Sequence, residues 1–342
     1  MVRWTIPTSN VYAWVYNPDG NHGLILKSTS ENKDSYKKFY SKESTVENKY
    51  KPKLVVTYKT IARLGLEDYW DYETHPLVGG TNYVNLGTSN NIVQYTDFSL
   101  MNYADFGLDF TRTYNSKTLE KSAFGFGWTF TGNQKLFIGT NTSKTDIDYQ
   151  DEDGTVHVFT KSGTSYTSPV GFEGQLVQLN ETTYELKSRD GSKVTFKIFD
   201  KAIDTAVNVA YMTQQTDANS NSIEYGYNTL NQLETIRTSL GTSLTLKYRN
   251  GVIVQALSND QEINYSYNGK HYLIQVTVKK SNLESTSTTF KYTNDALTSV
   301  VDAENKITSF AYHDGLAGKG IASVTEPILE GQDPSTTTYT LD

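Results

Sequence analysis

Five histidines, His22, His75, His157, His271 and His313, and 38 acidic residues are the groups with which this chain of 342 residues could hold a metal or move a proton. The histidines stand singly. No two have the spacing of paired metal ligands, and there is no cysteine to complete a zinc set. They read as solvated or structural. The acidic run at 149–154 (YQDEDG) invites a calcium loop. An EF-hand with Gly154 in sixth place needs an oxygen ligand where Tyr149 stands and a glutamate where Thr160 stands, so the pattern fails. At 217–222 (DANSNS) oxygen donors alternate, but Ser222 replaces the turn glycine and Asn228 the closing glutamate. Both stretches read as polar turns. The GFG at 125–127 lacks the lysine and the following helix of a phosphate loop. Its glycines instead let Phe124, Phe126 and Trp128 pack close to the backbone. No Ser-His-Asp set follows from sequence order, and no carboxylate pair stands out as that of a glycosidase. The expectation is a non-enzymatic chain with no catalytic residue, cofactor or metal. A polysaccharide-cleaving β-protein is the enzymatic alternative.

Near the start, Tyr12, Trp14 and Tyr16 alternate with Val11, Ala13 and Val15. A strand would present the three rings on one face. Such a face stacks on a sugar ring or belongs to a core. Tyr12, Trp14 and Tyr16 are the candidate glycan contacts. For Trp14 the core reading competes, because tryptophan is usually mostly buried.

The elements that position these groups are strands. Tyrosine (25) and glycine (24) are abundant and proline (7) is scarce. The apolar signal has period two, cut by Asn-Gly and Asp-Gly turns, so the chain is expected to be all-β. In 183–199, Tyr184 and Leu186 alternate before Asp190-Gly191, and Val194, Phe196 and Ile198 alternate after it, as a tight hairpin requires. The stretch 200–212 (DKAIDTAVNVAYM) is the exception and reads as a helix or an irregular linker. A net charge of −7 argues against nucleic acid or an anionic membrane as the main partner. No apolar run approaches the roughly 18 residues of a membrane helix, and the first residues have no apolar signal core. Absent cysteine fits a cytosolic protein and a thiol-avoiding secreted one equally well.

From residue 223 one pattern returns five times: Ile223/Tyr225/Tyr227, Leu244/Leu246/Tyr248, Ile263/Tyr265/Tyr267, Thr288/Phe290/Tyr292 and Thr308/Phe310/Tyr312. Positions i, i+2 and i+4 of a strand share a face. A turn follows each: Asn228 with Asn231, Asn250-Gly251, Asn268-Gly269, Asn294-Asp295 and Asp314-Gly315. Apolar residues then recur, as Leu233/Ile236, Ile253, Leu273/Val276, Leu297/Val300 and Ile321/Val324. Each unit is a strand, a turn and a returning strand. One hairpin cannot bury its face alone, whereas hairpins in tandem pair into a continuous sheet. The stretch 335–342 (STTTYTLD) reads as the opening strand of a further unit, with an unprotected edge.

These units resemble YD repeats, also called RHS repeats, whose unit runs Tyr-x-Tyr-Asp, a turn with glycine, then Leu-x-x-Val/Ile. Here Asn228, Arg249, Asn268, Thr293 and His313 stand where that family has the aspartate. LDFTRTYNS (108–116), FGFGWTF (124–130) and YQDEDGTVHVFTK (149–161) resemble the region before the repeats in bacterial RHS and wall-associated proteins. AWVYNPDGNHGLILKS (13–28), FYSKES (39–44) and KPKLVVTY (51–58) resemble the last part of a DNRLRE domain. The resemblance implies residues 1–58 as a partial β-sandwich module, 59–80 as a connector, 81–200 as the pre-repeat β region and 201–342 as repeats forming a curved, shell-like spiral sheet. It implies an extracellular or cell-wall location and a scaffold that encloses and presents a C-terminal toxin domain of the parent protein. The alternative is a carbohydrate-binding or adhesive cell-wall protein without a toxin. On either reading Tyr225, Tyr227, Tyr248, Tyr265, Tyr267, Phe290, Tyr292, Phe310 and Tyr312 carry the structure.

Overall fold

Among the described residues, alternation becomes strand. The computed structural model describes residues 64–103, 106–140, 145–199, 207–259, 261–315, 318, 320–327 and 334–340. All lie within one unit, Thr60–Asp342. The readings on residues 1–58, with Tyr12, Trp14, Tyr16 and the sandwich module, fall outside the described residues. Among those described, strands make up almost all regular structure, and no helix is long and apolar enough to cross a membrane.

A first sheet has five strands, antiparallel in chain order: Tyr72–Leu77, Gly80–Asn85, Asn91–Leu100, Leu108–Asn115 and Trp128–Phe130. The segment 59–80, read as a connector, therefore contributes the edge strand of this sheet.

The second sheet is long. Lys135–Ile138 pairs with Ile147–Gln150 on one side and with Asn208–Tyr211 on the other, which curls the sheet onto itself. The strand Asn208–Thr216 is a fork. One edge pairs with Lys193–Ile198, while the other is shared between Lys135–Ile138 and Ser222–Tyr227. For residues 208–212 this corrects the helix or linker reading, while residues 200–206 of that stretch fall outside the described residues. Ala210 and Met212 are fully buried while Val209 and Tyr211 are half-exposed, so residues 209–212 alternate as a strand. Burial of a pleated face outweighs the helix-like spacing around them.

From the fork, five hairpins follow in order. Ser222–Tyr227 pairs with Leu233–Thr238, Ser243–Arg249 with Val252–Ser258, Gln261–Tyr267 with Leu273–Lys280, Thr286–Thr293 with Ala296–Val301, and Ile307–Tyr312 with Ile321–Thr325. Tyr225, Leu246, Tyr265, Phe290 and Phe310 are buried, and so are Leu233, Ile253, Leu273, Leu297 and Ile321 opposite the last tyrosines. A β-bulge stands just before each last tyrosine. It interrupts the plain i, i+2, i+4 alternation and increases the local twist.

The turns are of two kinds. Asn250-Gly251 and Asn294-Asp295 place two left-handed residues together, as a tight hairpin demands. In the units of Asn228 and Asn268 the asparagine instead accepts two amide bonds, from Leu230 and Gln232, and from Lys270 and Tyr272. The left-handed residue is then Asn231 or His271, three places on. The turn read at Asn268-Gly269 is there, as a longer loop closed by the asparagine side chain.

Candidate functional site

The carbonyl of Leu233 shows how the hairpins join. Thr235–Arg237 pairs with the next hairpin, but the ladder ends there. Leu233 lies two residues beyond, where the strands have separated, and the Tyr248 hydroxyl crosses the gap to its carbonyl at 2.8 Å. The same bond runs from Tyr227 to Met212, Tyr267 to Ile253 and Tyr312 to Leu297, at 2.7–2.9 Å. In each case the acceptor lies two residues before the first paired residue. Hairpins held tightly at one end and tethered across a gap at the other must fan out. Tyr292 departs from the series, because its hydroxyl accepts the Trp128 indole N–H at 2.8 Å.

Trp128 belongs to the first sheet, which lies against the buried face of the repeats. Phe124 meets Tyr265 at 4.9 Å between ring centroids, Trp128 meets Phe290 at 5.3 Å and Tyr95 meets Phe290 at 5.8 Å, all edge-on. Backbone groups also cross. The amides of Ile253, Leu297 and Ile321 donate to the Ala123 carbonyl, the Tyr114 hydroxyl and the Ser89 carbonyl. Gly125 sits so close that a Cβ there would lie 2.2 Å from the His271 carbonyl oxygen. Gly127 leaves room for the Tyr114 ring.

Arg112 is the charged centre of this contact. Its guanidinium lies over the rings of Tyr95, Phe124, Trp128 and Tyr265 and bonds both carboxylate oxygens of Asp97, at 2.5 and 3.0 Å. Asp97 also accepts the Tyr265 hydroxyl at 2.7 Å and, on its backbone carbonyl, the Gln261 amide. Burial works against the Arg112 charge, but Asp97 outweighs it and holds the guanidinium protonated. Nothing in the sequence joined residues 97, 112 and 265, because their meeting depends on how two sheets stack.

A second cluster has the side chains for chemistry. Within 145–162, Asp151 opens an Asx turn and accepts the amides of Asp153 and Thr155 on one oxygen. Its other oxygen faces His157 Nε2 at 2.8 Å. Glu67, from the segment before the first strand, approaches the same nitrogen at 3.2 Å. Three further bonds dock that segment: Gly65 N–H to Asn115, Leu66 N–H to Asp153, and the Thr155 hydroxyl to the Leu64 carbonyl. Burial, with Asp153 and Asp68 adding repulsion, pushes Glu67 up to about 7. Burial, then Asp153, also raises Asp151. Burial pushes His157 down to about 4. The run read as a polar turn is a turn, but it gathers a histidine and a remote glutamate that sequence spacing could not join. His75 is also buried, between Glu326 at 2.9 Å and the Tyr339 hydroxyl at 2.8 Å. His271 and His313 lie in turns of the repeats. His22 falls outside the described residues.

Residues 81–159 match a family known as DUF6531, a domain of unknown function. The tRNA nuclease WapA of Bacillus subtilis strain 168 is 31% identical over 177 residues, which are 50% of this chain and 6% of the relative. The tRNA3(Ser)-specific nuclease WapA of Bacillus spizizenii matches to the same extent. The chain thus spans about 6% of the length of these relatives. Among solved structures, a TcdB2-TccC3-Cdc42 crystal structure aligns with 80% of this chain and 20% of its own at 12% identity and a TM-score of 0.30. The Tc holotoxin pore of Photorhabdus luminescens aligns with 75% and 18% at 11% identity and a TM-score of 0.28. At these scores the likeness of fold is slight.

Proposed function

We propose that this chain is scaffold from a secreted, toxin-related YD-repeat protein, and that its hairpins begin a shell that encloses and presents a toxin domain of the parent. The observation that carries the reading is the 31% identity to WapA over 177 residues. The tandem hairpins, joined by tyrosine tethers and backed by the first sheet, support it as a means of building a curved wall by repetition. The relatives are named as tRNA nucleases, and this chain corresponds to a small part of them. We place catalysis outside it, because among the described residues the buried charged groups tie segments together.

The test has two parts. The purified chain incubated with tRNA is expected to leave it intact. The parent protein is expected to shield its C-terminal portion from protease, and to lose that shielding when residues 207–327 are deleted. Cleavage of tRNA by the chain, or equal digestion of both forms, would overturn the proposal.

A further inference from the structure

Glu67, Asp151 and His157 bring two carboxylates and an imidazole to one largely buried point. One donor atom from each lies within 4.8 Å of the other two. No lysine or arginine pairs with them among the described residues. An ion about 2.0–2.2 Å from nitrogen and oxygen ligands sets neighbouring ligand atoms roughly 3–3.5 Å apart. The imidazole nitrogen lies 2.8 and 3.2 Å from the two carboxylate oxygens.

The donors are also held in place. The His157 ring is fixed by Tyr149, stacked at 5.7 Å, and by Phe172 at 4.5 Å. Two backbone amides occupy Asp151 Oδ1 and so aim Oδ2 at the histidine. Asp153 and Thr155 dock the residues beside Glu67 through bonds that do not involve the three donors. Outer contacts of this kind orient metal ligands and set their basicity.

We propose that Glu67, Asp151 and His157 form a binding site for one divalent transition ion of the zinc class, which clasps the segment 64–67 to the 151–157 turn. One imidazole and two carboxylates suit such an ion better than calcium, which takes oxygen ligands alone.

Calorimetric titration of Zn2+ into the full chain tests this beside thermal melts with Zn2+ or Ca2+. The expected result is one Zn2+ per chain and a melting temperature raised about 5 °C at a hundredfold excess over Kd, with little response to Ca2+. Glu67→Gln, at the periphery of the fold, and His157→Gln are each expected to weaken binding more than the roughly tenfold to hundredfold worth of an outer contact. Absent saturation, or binding unchanged in Glu67→Gln with its metal-free melt preserved, would show a hydrogen-bonded cluster only and overturn the proposal.

Discussion

Tyr248 illustrates the residue scale. Its ring packs on the core, and its hydroxyl serves a carbonyl that no strand reaches. Tyr248→Phe keeps the ring and orphans that carbonyl, so it is expected to cost about 1 kcal/mol in urea unfolding. Asp97 has a larger role, since it neutralises a fully buried guanidinium and accepts the Tyr265 hydroxyl. Asp97→Ala leaves Arg112 charged and uncompensated and is expected to cost about 3–5 kcal/mol. Asp97→Ala with Arg112→Met removes both charges and is expected to recover part of that loss. A double variant no more stable than the single one would mean that Arg112 acts through its packing.

At the scale of elements, the hairpins were legible in the sequence because each strand is short, antiparallel and buried on one face. Leu233/Ile236 and Leu273/Val276 announce their returning strands by spacing alone. The bulges were not legible, since Gly226, Lys247, Ser266, Lys291 and Ala311 share no chemistry that marks them. Neither were the ion pair of Arg112 nor the meeting of Glu67 with His157, which follow from the docking of remote segments. The glycines at 125 and 127 read in the sequence as room for the rings of Phe124, Phe126 and Trp128, whereas the groups they admit are the His271 carbonyl and the Tyr114 ring. Gly125 and Gly241 have nearly equal positive φ, 88° and 92°, but nothing lies within 4 Å of a Cβ at Gly241. Gly241→Ala is therefore expected to cost only its backbone strain, of order 1 kcal/mol. Gly125→Ala must also push the short hairpin of Lys121–Ser122 and Gly125–Phe126, which leads into Trp128, off the repeats, and is expected to lower the urea midpoint much further. Equal midpoints for the two would contradict the packing described at 125–127.

At the scale of the molecule, tyrosine links both sheets. Burial raises Tyr114 to about 12, with its bonds to Leu297 and Tyr312 pulling the other way. Burial also raises Tyr227, Tyr248 and Tyr267; neighbouring tyrosines or acids add to each, and for Tyr267 the Arg112 charge pulls the other way. A phenol raised in the folded state above its unfolded value near 10 contributes stability that is whole below pH 10 and lost as pH climbs through the folded value. Tyrosinate absorbance and far-ultraviolet dichroism, followed upward from pH 9, are expected to change together above pH 10 in one cooperative step. Gradual ionisation with the strands intact would mean that the phenols reach solvent. The central claim is that the repeats and the first sheet are one cooperative body, the fan of hairpins being built upon that sheet. Native-state hydrogen exchange at the amides of Ile253, Leu297 and Ile321 tests it most directly, because these donate to Ala123, Tyr114 and Ser89. The account predicts that all three exchange only with global unfolding, at the free energy of the buried Thr113 amide, whose residue pairs with Thr129 inside the first sheet. Exchange of the three through low-energy openings, with Thr113 still protected, would contradict it.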